Sequence, residues 1–280
     1  MTTPILLAVL AGALLHASWN ALIKWEPDKL AAAAAIAVGA GMVALPVAMM
    51  SPLPLAPSWP LIAFSSAIHV IYFVLVGYAL RHADLGVAYP LTRGTAPAFT
   101  AILAALWLGE MLSLSGWLAV GAIAAGVVAL SADALLRGGL TPRAAVLAFT
   151  NAAVVVAYTL VDGVGARLAG SAAAYVSWMM AGTAALIVLI ALVFYRKQVA
   201  EKERGFWIRS LFGGALGIAS YGIAIWAMTK APIGLVAALR ETSVLFAAIL
   251  GALIFNERFG PRRWAALVLI VIGIGLLRLF

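Results

Sequence analysis

Residues 86–117, GVAYPLTRGTAPAFTAILAALWLGEMLSLSGW, return as residues 234–264, GLVAALRETSVLFAAILGALIFNERFGPRRW, one residue shorter near the start. At an offset of 147, identities fall at Arg93 and Arg240, Thr95 and Thr242, Phe99 and Phe246, then Ala101, Ile102, Leu103 with Ala248, Ile249, Leu250. They continue at Glu110 with Glu257 and Trp117 with Trp264, and the register runs on to Gly126 with Gly273. Charged and Trp positions held in register over this length mark a duplication, and internal repetition is the first guide to architecture. The chain is two copies of one half, residues 1–138 and 139–280.

Composition sets the solvent. The 280 residues are 65% hydrophobic and 10% charged, with a mean hydropathy of +1.11. A soluble domain carries about 25% charged residues, so this chain has too little polar surface for water, and the lipid bilayer is its expected surroundings. No cysteine is present, which excludes disulfides, thiol nucleophiles and thiolate metal sites. The net charge of +8 is not a nucleic-acid signature, because the basic residues sit at the ends of apolar runs and form no stripe.

Ten apolar runs are separated by short Pro, Gly or charged links, at about 3–24, 31–50, 58–80, 85–108, 114–133, 144–166, 172–195, 206–229, 234–254 and 261–279. Each approximates the roughly 20 residues that cross about 30 Å of hydrocarbon. The first lacks a basic leader and carries Trp19, Asn20 and Lys24 at its far end, so it reads as part of the mature chain and not as a cleaved signal. The expected fold class is an all-α membrane protein, ten transmembrane helices as two inverted five-helix repeats. An odd number of helices per half inverts the second copy relative to the first.

The charges agree with inversion. Lys24, Lys29, Arg81, Arg137, Arg143, Arg196, Lys197, Lys202, Arg204, Arg209, Arg258, Arg262 and Arg263 fall on one side of the ten spans. Only Arg167, Lys230 and Arg278 fall on the other. Cytoplasmic loops hold the Lys and Arg excess, which places the larger group in the cytoplasm and both termini outside.

On these features the chain resembles the EamA-type transporters of the drug/metabolite transporter superfamily. The resemblance covers nearly the whole length: ten helices as five plus five inverted, a first helix containing HASWN (His16 to Asn20), and two helices rich in Pro or small residues closing on a Glu at the turn (Glu110, Glu257). The nearest likeness is to bacterial amino-acid and aromatic-metabolite exporters. The resemblance implies a multi-pass protein of the cytoplasmic (inner) membrane of bacterial type that exports small metabolites by alternating access, with no cofactor, and acts as a monomer. It also implies cytoplasmic termini, opposite to the charge count.

Candidate site residues follow from the cost of polar groups in hydrocarbon, about 2.5–3.5 kcal/mol or more for a charge at the centre. Arg93 lies about 12 Å into the fourth span at 1.5 Å per residue, and Arg240 and Glu241 are similarly placed in the ninth. One or both arginines hold a substrate carboxylate, for which a guanidinium fork is shaped. Alternatively Glu241 neutralises one of them and helix-end carbonyls satisfy the other. His16 and Asn20 share a face of the first helix at i, i+4. Trp19, Tyr89, Tyr158, Trp178 and Tyr221 lie deeper than an interfacial belt requires, whereas Trp107, Trp117 and Trp264 belong to that belt. Aromatic faces with a few polar anchors suit a medium-sized organic molecule having a flat or apolar part. His69 reads as a satisfied interior histidine.

Pro90 and Pro97, with Gly94 between them, are expected to interrupt the fourth helix as a fixed kink or a hinge. Gly121 with Ala125, Ala122 with Gly126, and Gly273 with Gly275 form small-residue ridges for close helix contact. The first helix carries no carboxylate for proton exchange, which favours facilitated diffusion of an amino acid or related metabolite down its gradient. Proton coupling through Glu241, Asp162 or a histidine is the alternative, and a channel-like pore a remoter one. No HExxH, GxSxG or GxxxxGK[ST] run occurs, so neither an enzyme nor an ATP-driven pump is indicated.

Overall fold

In a lipid environment each backbone N–H and C=O must be paired within its own segment, and the α-helix is the spanning element that achieves this. The computed structural model describes residues 1–81, 88–130, 142–255 and 260–279; the described residues contain helices and turns but no strand. The helices of the first half are α1 (Thr3–Trp25), α2 (Lys29–Met50), α3 (Trp59–Arg81), α4 (Ala88–Leu108) and α5 (Leu114–Leu130). The second half continues with α6 (Pro142–Leu168), α7 (Ala172–Phe194), α8 (Arg196–Ala200), α9 (Arg204–Met228), α10 (Ile233–Arg240), α11 (Ser243–Phe255) and α12 (Pro261–Leu276). Among the described residues, six spans are long and apolar enough to cross a membrane: Thr3–Trp25, Lys29–Met50, Ala56–Tyr78, Phe149–Leu168, Ala172–Phe194 and Arg204–Met228.

Two differences from the expected ten helices are informative. The short α8 is an addition in the link after α7. The ninth run is two helices and not one: α10 ends at Arg240, Glu241 and Thr242 form a turn, and α11 begins at Ser243. At this break the backbone tightens to three-residue spacing, with Glu241 N donating to Ala238 O and Thr242 N to Leu239 O, while Thr242 Oγ1 donates to Leu239 O at 2.7 Å. A threonine hydroxyl bonding back to a carbonyl competes with the helical ladder and bends it. Conversely, α4 runs as one helix through the residues at which a kink or hinge is expected. Pro97 is carried inside a helix running from Ala88 to Leu108, and Pro90 lies in its first turn, where a missing N–H costs nothing.

Local caps mark the starts of two helices. Asp28 accepts from Ala31 N at 3.1 Å before α2, and Ser171 from Ala174 N at 3.3 Å before α7. Large apolar side chains such as Met42, Leu189, Val193 and Phe212 face outward, while Ile23, Met179, Ile225, Ile233 and Leu239 are fully buried.

The packing is reciprocal between halves. Helix α1 packs on α9, and α6 on α3; α2 packs on α9, and α7 on α3; α1 packs on α11, and α6 on α4. Three contacts pair counterparts directly, α2 with α7, α4 with α10 and α5 with α12. At the last, a methyl on Gly126 would lie 2.9 Å from Ala266 O and 2.6 Å from Ile270 Cγ1. One on Gly273 would lie 3.0 Å from Ala119 O and 2.6 Å from Ile123 Cγ1. At the offset of 147 these are the same contacts with the halves exchanged, and only glycine permits the approach. The other two glycines of the expected ridges, Gly121 and Gly275, face open space. Of the tryptophans expected at the interface, Trp107 and Trp264 are exposed, and Trp117 is half-buried with part of its surface against the core.

Candidate functional site

A cavity lies between the halves, with about 410 Å³ of empty space including its opening. Its walls come from seven helices. Helix α1 contributes His16 and Trp19, and α3 contributes His69, Tyr72 and Phe73. Tyr158 comes from α6, Tyr221 and Gly217 from α9, and Arg240 from the end of α10. Ile36 and Ala40 of α2 and Met180 of α7 complete the apolar part.

The rings form a connected aromatic wall. His69 lies 4.7 Å from Tyr158 and 5.3 Å from Tyr221 by ring centroids, Tyr72 lies 5.2 Å from Tyr158, and His16 meets Trp19 edge-on at 5.0 Å. Edge-to-face contacts of this kind contribute about 0.5–1.5 kcal/mol each beyond area burial. They also fix the ring planes, so the wall is preorganised.

Two charged arrangements border it. Asp162 is fully buried on α6; its carboxylate accepts from Tyr175 Oη at 2.9 Å and from Tyr221 Oη, and its Oδ2 lies 3.9 Å from Nε2 of His69. Nδ1 of His69 is held against the Ser65 carbonyl at 3.0 Å. Tyr221 is thereby clamped at its hydroxyl, and its ring face supports the guanidinium of Arg240, 5.1 Å from the centroid, a cation–π contact. Nearby, Arg93 Nε lies 2.8 Å from Glu241 Oε2, a charge contact and not an aligned hydrogen bond, and Arg93 Nη2 donates to Ser243 Oγ at 2.9 Å.

Glu241 follows Arg240 at the break between α10 and α11, whereas Gly94 follows Arg93. Glu241 pairs with Arg93 of the other half and not with its sequence neighbour. No carboxylate among the described residues pairs with Arg240, which lines the cavity at 9% exposure. Nε2 of His16, also on the wall, is buried without a hydrogen-bond partner.

Of the residues expected from sequence, His16, Trp19, Tyr158, Tyr221 and Arg240 come together on the cavity wall. Four do not reach it. Asn20 donates Nδ2 to the His16 carbonyl, Trp178 packs against Trp59 with ring centroids 5.4 Å apart, and Arg93 and Glu241 are consumed by their mutual pair. The side chain of Tyr89, like the whole of Glu257, lies outside the described residues. Sequence reasoning missed Tyr72, Phe73 and the placement of His69, although residues 69, 72 and 73 have the i, i+3, i+4 spacing of one helix face.

On one side of the membrane a second polar cluster ties the halves. Arg167 at the end of α6 meets Glu110 at 2.5 Å and donates to the carbonyls of Met228 and Ala231; Glu110 also accepts from Ile233 N at 2.7 Å. On the opposite side, Arg209 bridges Glu26 and Glu203, and Lys202 meets Asp28 at 3.3 Å.

One solved crystal structure is similar to this chain over 99% of its residues and 96% of the other's, with a TM-score of 0.74 and 20% identity, a likeness of fold. No curated protein matches the sequence. The model of the EamA-like transporter family matches residues 3–132 and 142–279. A multi-pass helical chain with a polar, aromatic cavity enclosed between its halves, matched over nearly its whole length, belongs to the EamA-like transporter family, within the drug/metabolite transporter superfamily.

Proposed function

We propose that this chain is an alternating-access transporter of the cytoplasmic membrane that exports small organic metabolites, foremost amino acids including aromatic ones, by facilitated diffusion. The observation that carries the reading is Arg240: a guanidinium on the cavity wall with no carboxylate partner among the described residues, seated on the ring of Tyr221. A buried cation stays costly until an anion meets it, and a substrate carboxylate is the complementary group. The rings of Trp19, Tyr72, Phe73 and Tyr158 supply the surface for the apolar part of the same molecule.

Two inverted five-helix halves, residues 1–138 and 139–280, are the moving bodies in this reading. The reciprocal Gly126 and Gly273 contacts and the exchange of helix packings between halves support the inversion. So does the helix broken at the depth of Arg240, a feature of substrate sites in inverted-repeat carriers. The Glu110–Arg167 cluster and the Arg209 and Lys202 pairs, on opposite sides, are the contacts that rocking would make and break in turn.

A second reading, proton-coupled exchange, is favoured by one observation: Asp162 and His69, two titratable groups 3.9 Å apart behind the cavity wall. Flux in proteoliposomes separates the readings. Labelled aromatic and aliphatic amino acids, a quaternary-ammonium drug and a nucleotide sugar are each tested with and without an imposed proton gradient. Saturable amino-acid flux indifferent to the gradient supports facilitated diffusion; drug flux that rises with the gradient, without amino-acid flux, replaces it. Flux rising linearly without a plateau indicates a pore.

A further inference from the structure

We infer that the cavity recognises its substrate as an anion, so that the amino group of an amino acid is dispensable: the ligand class is the monocarboxylate with a flat apolar body, whether or not it carries an ammonium. The inference rests on the reading that Arg240 meets the carboxylate, and it concerns what the rest of the wall offers the second charge of a zwitterion.

The wall offers that charge no carboxylate. Among the described residues lining the cavity there is no Asp or Glu; the ionisable groups are His16, His69, Arg240 and the three tyrosines Tyr72, Tyr158 and Tyr221. Both nearby carboxylates are occupied. Glu241 lies against Arg93 at 2.8 Å and is 4% exposed. Asp162 is 0% exposed, with Tyr175 and Tyr221 hydroxyls donating to it. An ammonium in the cavity would keep its three donors from any carboxylate and share the space with the Arg240 cation. A buried unpaired charge is disfavoured, and like charges at short range add to the cost. To reach Asp162 it would have to displace the hydroxyl of Tyr221, whose ring supports Arg240, and so loosen the group that holds the other end of the same substrate. The orphaned Nε2 of His16 adds a group that can donate to a second carboxylate oxygen or a keto oxygen.

Three ligands of one shape test this on the full chain purified in detergent: L-phenylalanine, 3-phenylpropanoate, which lacks only the ammonium, and 2-phenylethylamine, which lacks only the carboxylate. Isothermal titration is expected to give 3-phenylpropanoate an affinity within about threefold of L-phenylalanine, or tighter, and no binding of 2-phenylethylamine. The variant R240M is expected to weaken both acids by about tenfold or more. If 3-phenylpropanoate binds more than about threefold weaker than L-phenylalanine, or if the amine binds, the ammonium has a partner in the cavity. The inference then fails while the carboxylate reading stands. If neither acid binds the parent protein, or R240M binds both as the parent does, the inference fails together with the reading it rests on. The comparison among ligands on the parent protein needs no variant to fold.

Discussion

Glu241 lies 2.8 Å from Arg93, not against Arg240, its neighbour in sequence, so one arginine of the repeated pair is neutralised across the interface of the halves and its counterpart is left to the cavity. Arg93 and Arg240 are equivalent by sequence but differ in role, because Gly94 in the first half stands where Glu241 stands in the second.

Removing one member of the Arg93–Glu241 pair strands the other. Either R93M or E241M alone is expected to destabilise the protein by about 3–5 kcal/mol, the cost of an uncompensated buried charge. The double variant R93M/E241M is expected to recover most of that loss. Thermal unfolding in detergent, followed by tryptophan fluorescence, measures the cycle; additive losses would deny that the two form a pair.

Asp162 holds two tyrosine hydroxyls at once. Substitution D162A leaves both without their buried acceptor, whereas Y175F removes one donor and leaves Tyr221 clamped. The expected losses are about 2 kcal/mol or more for D162A and about 1 kcal/mol for Y175F. Because Tyr221 supports Arg240, D162A is also expected to raise KM for a carboxylate substrate more than Y175F does. Equal effects of the two on KM would show that the Tyr221 clamp does not position Arg240.

The α5–α12 contact makes a paired prediction. G126A and G273A each force a methyl within 3.0 Å of a carbonyl of the facing helix, and overpacking of this kind costs about 1–3 kcal/mol. The two losses are expected to be similar, because the contacts are reciprocal. G121A and G275A, facing open space, are the controls and are expected to be neutral. Unequal losses at Gly126 and Gly273 would argue against reciprocal packing.

The helix-forming stretches were legible because hydrocarbon permits few alternatives, and the repeat was legible because charged and Trp positions kept their register. The break after Arg240 was not. No Pro or Gly marks it, and its determinants are the Thr242 hydroxyl bonded to the Leu239 carbonyl and a Glu241 drawn to a residue 148 positions away in sequence. The prolines of α4 were the more conspicuous signal, yet that helix is continuous across Pro97. Within the site, depth along each span picked out Arg240, Tyr158 and Tyr221, but depth does not report the direction of a side chain. Trp178, as deep by count, turns toward Trp59, and Asn20, expected from the face it shares with His16, turns to the His16 carbonyl. His69 looked self-sufficient in sequence because a lone histidine in a helix usually is; its position beside Asp162 depends on three helices meeting.

The central claim is that Arg240, and not Arg93, meets the substrate. Its most direct test is saturable uptake of labelled L-phenylalanine into proteoliposomes by R240M and by R93M/E241M, each against the parent chain. The predicted result is that R240M loses about tenfold or more in kcat/KM while the double variant, once folded, keeps transport near the parent's. Parent-like uptake by R240M, or loss confined to the double variant, would contradict it.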